Sequence, residues 1–445
     1  MTGKSARTER KVPEIATLRE LTEHLVAAAK VELSTIPLYL YSTYSIRTKG
    51  YSQWAAGKSA QRTMIGVAIE EMLHLTLARN LLVAIGSGDA VRFYDREYSA
   101  DGFTTPYPKP MLMREPDLEL HLRRLSKEQV TGTFMQIELP DDKATELAAE
   151  IRPYKTLGEF YARIEQGIRD LSSDHLKEKI DWGRAKRELW KFQYHRGYWN
   201  QNGGSDGPMI IVDEKTALHA MEIIVDQGEG ARQDHGYLPD PIFRTADHPD
   251  QEVGKWQASH YTKFQDIAKG LNGIGVICDD NGRQKFTIDD SEVIWPVLDD
   301  PALARLVPGR PVHKLTEFSN AVYCYVLALL DAIYATPMTP YTDAAPFHES
   351  ERYGLERGFV AAMQGVLYPV ADLLVRTPLV DGDMPGVRPD ANAGPPFEHY
   401  AFTTQRPKGE LVALCNDLLA LYPELGGDDG VQRQISLLPD FELPS

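Results

Sequence analysis

Two ionisable residues lie on the apolar face of a helix predicted over residues 59–85. Apolar side chains recur there at spacings of three and four residues, and Glu71 and His74 share their stripe. Because a buried carboxylate is costly unless it is paired or binds a metal, Glu71 requires a partner. A carboxylate followed three residues later by a histidine is the helical pattern of di-iron and di-manganese bundles. Since this pair is common by chance, other helices must supply further ligands.

Three further residues meet this requirement. Glu32 lies on the apolar stripe of a helix predicted over 17–47, Glu229 ends the stripe of a later helix, and His260 lies on the stripe of another. A single histidine on an apolar face is more often a satisfied core residue, but as the fifth inward-facing group His260 is the better candidate ligand. The sequence therefore predicts one buried metal centre with five ligands. The set is Glu32, Glu71, His74, Glu229 and His260.

The donor atoms of this set indicate which metals it would hold. Three carboxylates and two imidazoles, without a thiolate, suit iron or manganese rather than structural zinc. We expect two metal ions, with iron favoured and manganese or copper as alternatives. Five protein ligands for two ions leave positions open for water, oxygen, peroxide or a substrate.

Other acidic residues are also candidate ligands of this site. Nearby arginines allow an alternative in which the inward acids are paired and no metal binds. Glu138 lies in the apolar run FMQIELP, and Glu222 shares the face of Glu229, so both stay open as ligands; Glu70, Glu159 and Glu165 are weaker candidates. If arginines neutralised the inward acids, the protein would be a non-catalytic bundle. The arginines near enough in sequence are Arg62, Arg79 and Arg163.

Charge and cysteine content exclude several classes of protein. The formal net charge of −16 repels phosphate backbones, so nucleic acid is not an expected partner. No stretch of about 18 consecutive apolar residues predicts a membrane span. The three cysteines, Cys278, Cys324 and Cys415, are far apart and are expected to be buried free thiols. These features favour a cytoplasmic protein, whose oligomeric state stays open, with a homo-oligomer among the options.

The pattern of helices predicts a mainly α protein. We expect a helical bundle over residues 1–290, interrupted by a mixed insertion over 87–156, and a C-terminal helical extension over 291–445. Thr17 and Thr216 are candidate helix caps, and Pro37 is expected to kink the first helix. MIIV, at residues 209–212, reads as a short strand. The further predicted helices span 156–171, 217–228, 252–270, 314–335, 351–376 and 407–422.

Several of these segments resemble a known family. The segments VELSTIPLYLYSTYSI, EEMLHLTLARNLLVAIG, FMQIELP, TLGEFYARIEQGI, IVDQGEG and SHYTKF are similar, in order and spacing, to the ferritin-like domain associated with iminophenylpyruvate dimer synthases. The resemblance implies a ferritin-like helical bundle with Glu32, Glu71 and His74 as ligands, and by shorter motifs Glu229 and His260. The carboxylate and histidine about thirty residues apart also resemble half of the manganese catalase site.

The family acts in bacterial bisindole pathways, where its enzymes couple two imines made from tryptophan. The resemblance therefore implies a non-haem dinuclear-metal oxidase or oxygenase that uses oxygen or peroxide on a small, amino-acid-derived substrate in natural-product metabolism. The charged loop over residues 231–252 is expected to act as a lid. Two alternatives stay open at this point: a manganese-catalase-like peroxide enzyme, and a non-catalytic metal-binding bundle.

Overall fold

A computed structural model describes most of the chain. For residues 56–59, 276–278 and 284–287 the structure describes the backbone only. The described residues are 15–47, 56–112, 114, 117–140, 154, 156–173, 175–194, 209–228, 259–269, 276–278, 284–288, 291, 293–338 and 350–443.

Helices make up most of the described chain. The longer ones are α1 (Leu18–Tyr44), α2 (Ala56–Ala84), α3 (Leu157–Leu171), α4 (Glu214–Gly228), α5 (His260–Lys269), α6 (Pro311–Ala335), α7 (Glu351–Ala362), α8 (Tyr368–Arg376), α9 (Pro407–Leu418) and α10 (Val431–Leu437). The shorter ones are Gly88–Ala90, Lys127–Gln129, Val130–Phe134, Met135–Ile137, Trp182–Arg187, Leu189–Phe192, Leu303–Arg305, Met363–Leu367 and Pro423–Leu425. The predicted mainly α class is confirmed.

Strands are short and few in the part of the chain that the structure describes. Two antiparallel pairs occur, β1 (Lys109–Pro110) with β2 (Glu119–Leu120), and β3 (Val276–Cys278) with β4 (Gln284–Thr287). The predicted strand over residues 209–212 is wrong. That segment is extended but has no ladder partner, because the side chain of Gln193 satisfies both the N–H and the carbonyl of Ile211, at 2.7 Å each.

Helices α1 to α4 form a closed four-helix arrangement. Helix α1 packs against α2 and α3, while α4 contacts both α2 and α3 and so completes the ring. Helix α5 leans on α2, on α4 and on the π-helical turn Val130–Phe134 of the segment between α2 and α3. The inward faces of the four helices therefore surround a common interior. Buried polar side chains from different helices can approach one another there.

Local capping explains where two of these helices begin. Thr17 and Glu20 form a reciprocal capping box at the start of α1, as the predicted cap requires. The predicted Thr216 cap of α4 is wrong, because this helix begins at Glu214 and the carboxylate of Asp213 accepts the Thr216 N–H at 2.8 Å. Pro37 lies inside α1, which continues through it to Tyr44.

The C-terminal helices share one hydrophobic core with the bundle. Buried apolar side chains form a single cluster that runs from Ile15 to Leu443. The division of the chain at residue 290 stays a prediction. By length and mean hydropathy, α6 and the combined α7–α8 helix (Glu351–Arg376) are apolar enough to cross a membrane, but 94% of the apolar window of α6 is buried inside the protein. Such burial is typical of a core helix.

Candidate metal centre

The first three predicted ligands meet in the interior of the bundle. Glu71 and His74 lie on one face of α2, and Glu32 reaches them from α1. His74 Nδ1 lies 3.5 Å from Glu32 Oε2 and 3.7 Å from Glu71 Oε2. All three residues are at most 3% exposed. Their spacing would let a single ion bind one atom of each.

A second group of three shares Glu71 with the first. His260, at the start of α5, places Nδ1 2.8 Å from Glu71 Oε1 and 3.8 Å from Glu138 Oε2. The two oxygens of Glu71 thus face different histidines, Oε2 facing His74 and Oε1 facing His260. The two imidazole rings lie 5.5 Å apart between centroids and are nearly parallel. A carboxylate placed between two histidines in this way is suited to bridging two metal ions.

Glu138 was only a competing candidate in the sequence, yet it belongs to this second group. It follows the short helix Met135–Ile137 and is 2% exposed. The signal for it was an acidic residue inside the apolar run FMQIELP. A Cβ at Gly228 would lie 3.4 Å from Glu138 Oε2, so the end of α4 comes close to the group. Glu229, the predicted ligand that follows, lies outside the described residues.

Each outer carboxylate of the centre accepts a hydrogen bond from a buried tyrosine. The Tyr161 hydroxyl of α3 donates to Glu32 Oε1, and the Tyr39 hydroxyl of α1 donates to Glu138 Oε1 at 2.6 Å. These bonds fix the orientation of two carboxylates while leaving their other oxygens, Oε2, turned toward the histidines.

The two histidines use their remaining ring nitrogen differently. His74 Nε2 is 3.0 Å from the amide oxygen of Gln227 on α4. His260 Nε2 is 2.8 Å from Glu70 Oε2, and the ammonium of Lys263 donates to the same oxygen at 2.5 Å. The sequence did not reveal Gln227 or Lys263 as members of the centre, because only the packing of α2, α4 and α5 brings them to these rings.

The other competing residues lie elsewhere. Glu222 is exposed and pairs with His219 at 3.2 Å, and Glu165 pairs with Arg169 at 2.5 Å. Glu159 occupies the first turn of α3. Arg79 stacks on the ring of Tyr334 at 4.9 Å. Within the described ranges, no arginine or lysine forms an ion pair with Glu32, Glu71 or Glu138.

The charges of the cluster are therefore balanced by protons on the histidines. Burial lowers the pKa of His74, but Glu32 and Glu71 outweigh it and raise that pKa to about 10. His260 has its pKa raised well above the usual value in the same way, chiefly by Glu71. Burial and the charge of Glu71 raise the pKa of Glu32 to about 8. At neutral pH the metal-free centre thus holds protons between its carboxylates.

One buried nitrogen of the centre lacks a hydrogen-bond partner within the protein. His260 Nδ1 is buried and makes no hydrogen bond, although Glu71 Oε1 lies 2.8 Å away, because the ring N–H does not point at that oxygen. A metal ion bound at Nδ1 would satisfy this nitrogen, and the donors around it are carboxylate oxygens, which iron and manganese accept. The residues present therefore fit a carboxylate and histidine metal centre.

The chain is similar to two curated proteins at low identity. The chain is 24% identical to dichlorochromopyrrolate synthase of Lentzea aerocolonigenes, over 86% of this chain and 36% of the relative. It is 22% identical to 2-imino-3-(indol-3-yl)propanoate dimerase of Chromobacterium violaceum, over 81% of this chain and 32% of the relative. The chain thus spans about a third of the length of these relatives.

A crystal structure of a ferritin-like protein from Caulobacter vibrioides covers 74% of this chain and 91% of its own, with 20% identity and a TM-score of 0.43. The sequence model described as ferritin-like matches residues 25–269, which is more than half of the chain and includes every residue of the centre. The association predicted from the motifs is confirmed. The chain belongs to the ferritin-like family.

Proposed function

We propose that this protein is a non-haem dinuclear-metal oxidoreductase, an oxidase or oxygenase, acting on a small amino-acid-derived substrate in natural-product metabolism. The observation that carries the proposal is the position of Glu71. Its two oxygens face two separate groups of donors, and each group is completed by its own histidine and its own outer carboxylate.

One ion would be held by Glu32, Glu71 and His74, and the other by Glu71, Glu138 and His260. Glu229 stays a proposed additional ligand, since it directly follows the end of α4 beside Glu138. Oxygen and imidazole donors favour iron, with manganese or copper as alternatives. Three described donors for each ion leave coordination positions open, and ions of this kind supply redox chemistry toward oxygen or peroxide.

The substrate class rests on the relatives. One of them is named for the dimerisation of 2-imino-3-(indol-3-yl)propanoate, an imine of an aromatic amino acid. We extend this to a 2-imino acid as the substrate here. Because this chain spans only about a third of that relative, oxidation of a single imine is proposed as readily as the joining of two. We place this reaction in the cytoplasm. The buried thiols of the C-terminal helices, Cys324 and Cys415, are free and would stay reduced there.

The test begins with metal content and ends with turnover. Protein expressed with iron or manganese supplementation is expected to contain two ions per chain by elemental analysis. An imine generated in place from tryptophan by an amino-acid oxidase hydrolyses to the 2-oxo acid without any enzyme, so the readout is the oxidised or coupled product. Mass spectrometry should detect this product only with the metal-loaded protein. Glu222→Gln, which changes an exposed glutamate of α4, is the matched control and should behave as wild type.

Three results would redirect or refute the proposal. Fewer than one ion per chain after reconstitution would refute a metal-dependent enzyme and leave a non-catalytic bundle. Two ions with rapid release of oxygen from peroxide, but no oxidised or coupled product from the imine, would identify the catalase-like alternative. Formation of that product by the metal-free protein would refute the role of the centre.

A further inference from the structure

The two halves of the centre are alike on the inside. Each histidine turns Nδ1 toward the shared carboxylate of Glu71, and each half has one outer glutamate that accepts a tyrosine hydroxyl. Both halves have these donor types, so the types of donor alone do not distinguish the two halves.

The halves differ at the outer nitrogen of each histidine. His74 Nε2 faces a neutral amide, that of Gln227, whereas His260 Nε2 faces the carboxylate of Glu70. Glu70 is partly buried, and the ammonium of Lys263 lies 2.5 Å from the same carboxylate oxygen. Both contacts are at hydrogen-bond distance, 3.0 Å and 2.8 Å, so the difference lies in the charge of the acceptor.

That difference bears on the nitrogen that would bind metal. An imidazole whose second nitrogen donates to a carboxylate is more basic, and a better ligand, than one that donates to an amide. The carboxylate also holds the proton on Nε2, so a metal would bind at Nδ1 and displace the proton there. Lys263 weakens the effect only in part, because Glu70 lies between its ammonium and the imidazole.

We infer that the two ions bind in order, the half formed by Glu71, Glu138 and His260 filling first and more tightly, with Glu70 as the positioning residue that sets this order. The inference rests on the proposed dinuclear centre. It assigns to Glu70 a role distinct from that of its neighbour Glu71, although both are acids on α2. It also makes a protein carrying one metal ion a defined species.

The test exchanges the two outer partners. Metal-free protein is titrated with Co²⁺ and followed by calorimetry and by the visible absorption of the bound ion. Wild type should show two steps, with the first constant about 10- to 100-fold tighter, the range typical of outer-shell changes. Glu70→Gln gives both histidines an amide partner and should merge the steps. Gln227→Glu gives both a carboxylate and should tighten the second step only.

Ligand variants identify which half fills first. His74→Ala should keep the tighter step and lose the weaker one, whereas His260→Ala should lose the tighter one. Glu410→Gln is the structural control, because this glutamate bonds Tyr400 and Thr403 in the C-terminal region. It should leave both steps unchanged. Circular dichroism and thermal unfolding establish that each variant is folded.

The outcomes separate this inference from the proposed function. Two equal constants in wild type, or a tighter step that survives His260→Ala, would overturn the order of filling and leave the dinuclear centre intact. Two steps that are unaffected by Glu70→Gln in a folded protein would remove the role of Glu70. If Co²⁺ does not bind at all, the metal centre fails together with everything built on it.

Discussion

The bundle and the C-terminal region both bury charged side chains, but they neutralise them differently. In the C-terminal region, Arg352 is 1% exposed, yet its guanidinium donates to Glu356 at 2.7 Å and to the carbonyls of Ile333, Thr336 and Gln193. Asp331 likewise accepts two backbone N–H groups. Both buried groups therefore have hydrogen-bond partners within the protein.

The centre in the bundle has no arginine or lysine in this role. Three carboxylates face two histidines, no arginine or lysine from the described ranges pairs with those carboxylates, and His260 Nδ1 has no hydrogen bond. Burial of charge is common to both regions, so burial does not mark a functional site. What marks it is a set of buried groups that the chain leaves without sufficient partners.

The largest effect is expected from the residue that the two halves share. Glu71→Gln removes the bridging charge but preserves shape, so both ions should be lost, each affinity falling more than about 100-fold, since outer-shell changes alone typically cost 10- to 100-fold. Elemental analysis after dialysis measures this, and circular dichroism should show an intact fold. Two retained ions would contradict the bridging role. Glu222→Gln again serves as the control.

A change of similar severity in the C-terminal region should act on stability alone. Arg352→Met leaves Glu356 buried without its cation, which typically costs about 3–5 kcal/mol in the free energy of unfolding. Urea denaturation measures the loss, and the metal content of each folded chain should equal that of wild type. Arg406→Met, which removes exposed pairs with Asp440 and Glu442, should change stability little. A loss of metal in the Arg352 variant would contradict the separation of the two regions.

Sequence periodicity was sufficient for the helices and for part of the centre. Glu32, Glu71 and His74 lie on long, strongly patterned helices, so their inward direction follows from spacing. His260 was identified from its stripe, although the residues before it in the predicted helix, 252–258, lie outside the described part. Glu138 was undervalued because its segment has no long period, and a single acid in an apolar run gives a weak signal.

The residues that contact the outer nitrogens of the histidines could not be predicted from the sequence, for a physical reason. Gln227 and Lys263 act only through the packing of α4 and α5 against α2, and spacing within one helix carries no information about that packing. The strand predicted over residues 209–212 was wrong for a related reason. A strand needs a neighbouring strand as its hydrogen-bond partner. Here the side-chain amide of Gln193 bonds the N–H and the carbonyl of Ile211 instead.

Metal binding at the centre should depend on pH, because its histidines carry protons in the metal-free protein. Burial opposes protonation of His74, but Glu32 and Glu71 raise its pKa to about 10, so an incoming ion must displace a proton throughout the neutral range. Affinity should therefore rise about tenfold per pH unit for each proton displaced. The slope should fall as the pH passes about 8, where Glu32 loses its proton, and again as it passes about 10, where His74 loses its proton. Calorimetry in buffers of different ionisation heat counts the protons released. Binding without proton release would contradict this charge balance.

The smallest effect is expected from single hydroxyl groups. Tyr161→Phe removes the hydrogen bond to Glu32, and Tyr39→Phe removes the one to Glu138. Each should weaken metal binding by roughly tenfold, the lower end for outer-shell partners, and only in its own half of the centre. Co²⁺ titration resolves the two steps, so the weaker step should move in the Tyr161 variant and the tighter step in the Tyr39 variant.

A tyrosine of the C-terminal region provides the comparison for these hydroxyl groups. The Tyr325 hydroxyl donates to the Pro439 carbonyl at 2.6 Å, so Tyr325→Phe should cost about 1 kcal/mol of stability and leave both binding constants unchanged. If Tyr161→Phe and Tyr39→Phe shifted the same step, the two outer carboxylates would not belong to separate ions. The division of the centre into two halves around Glu71 would then be wrong, even with two ions bound.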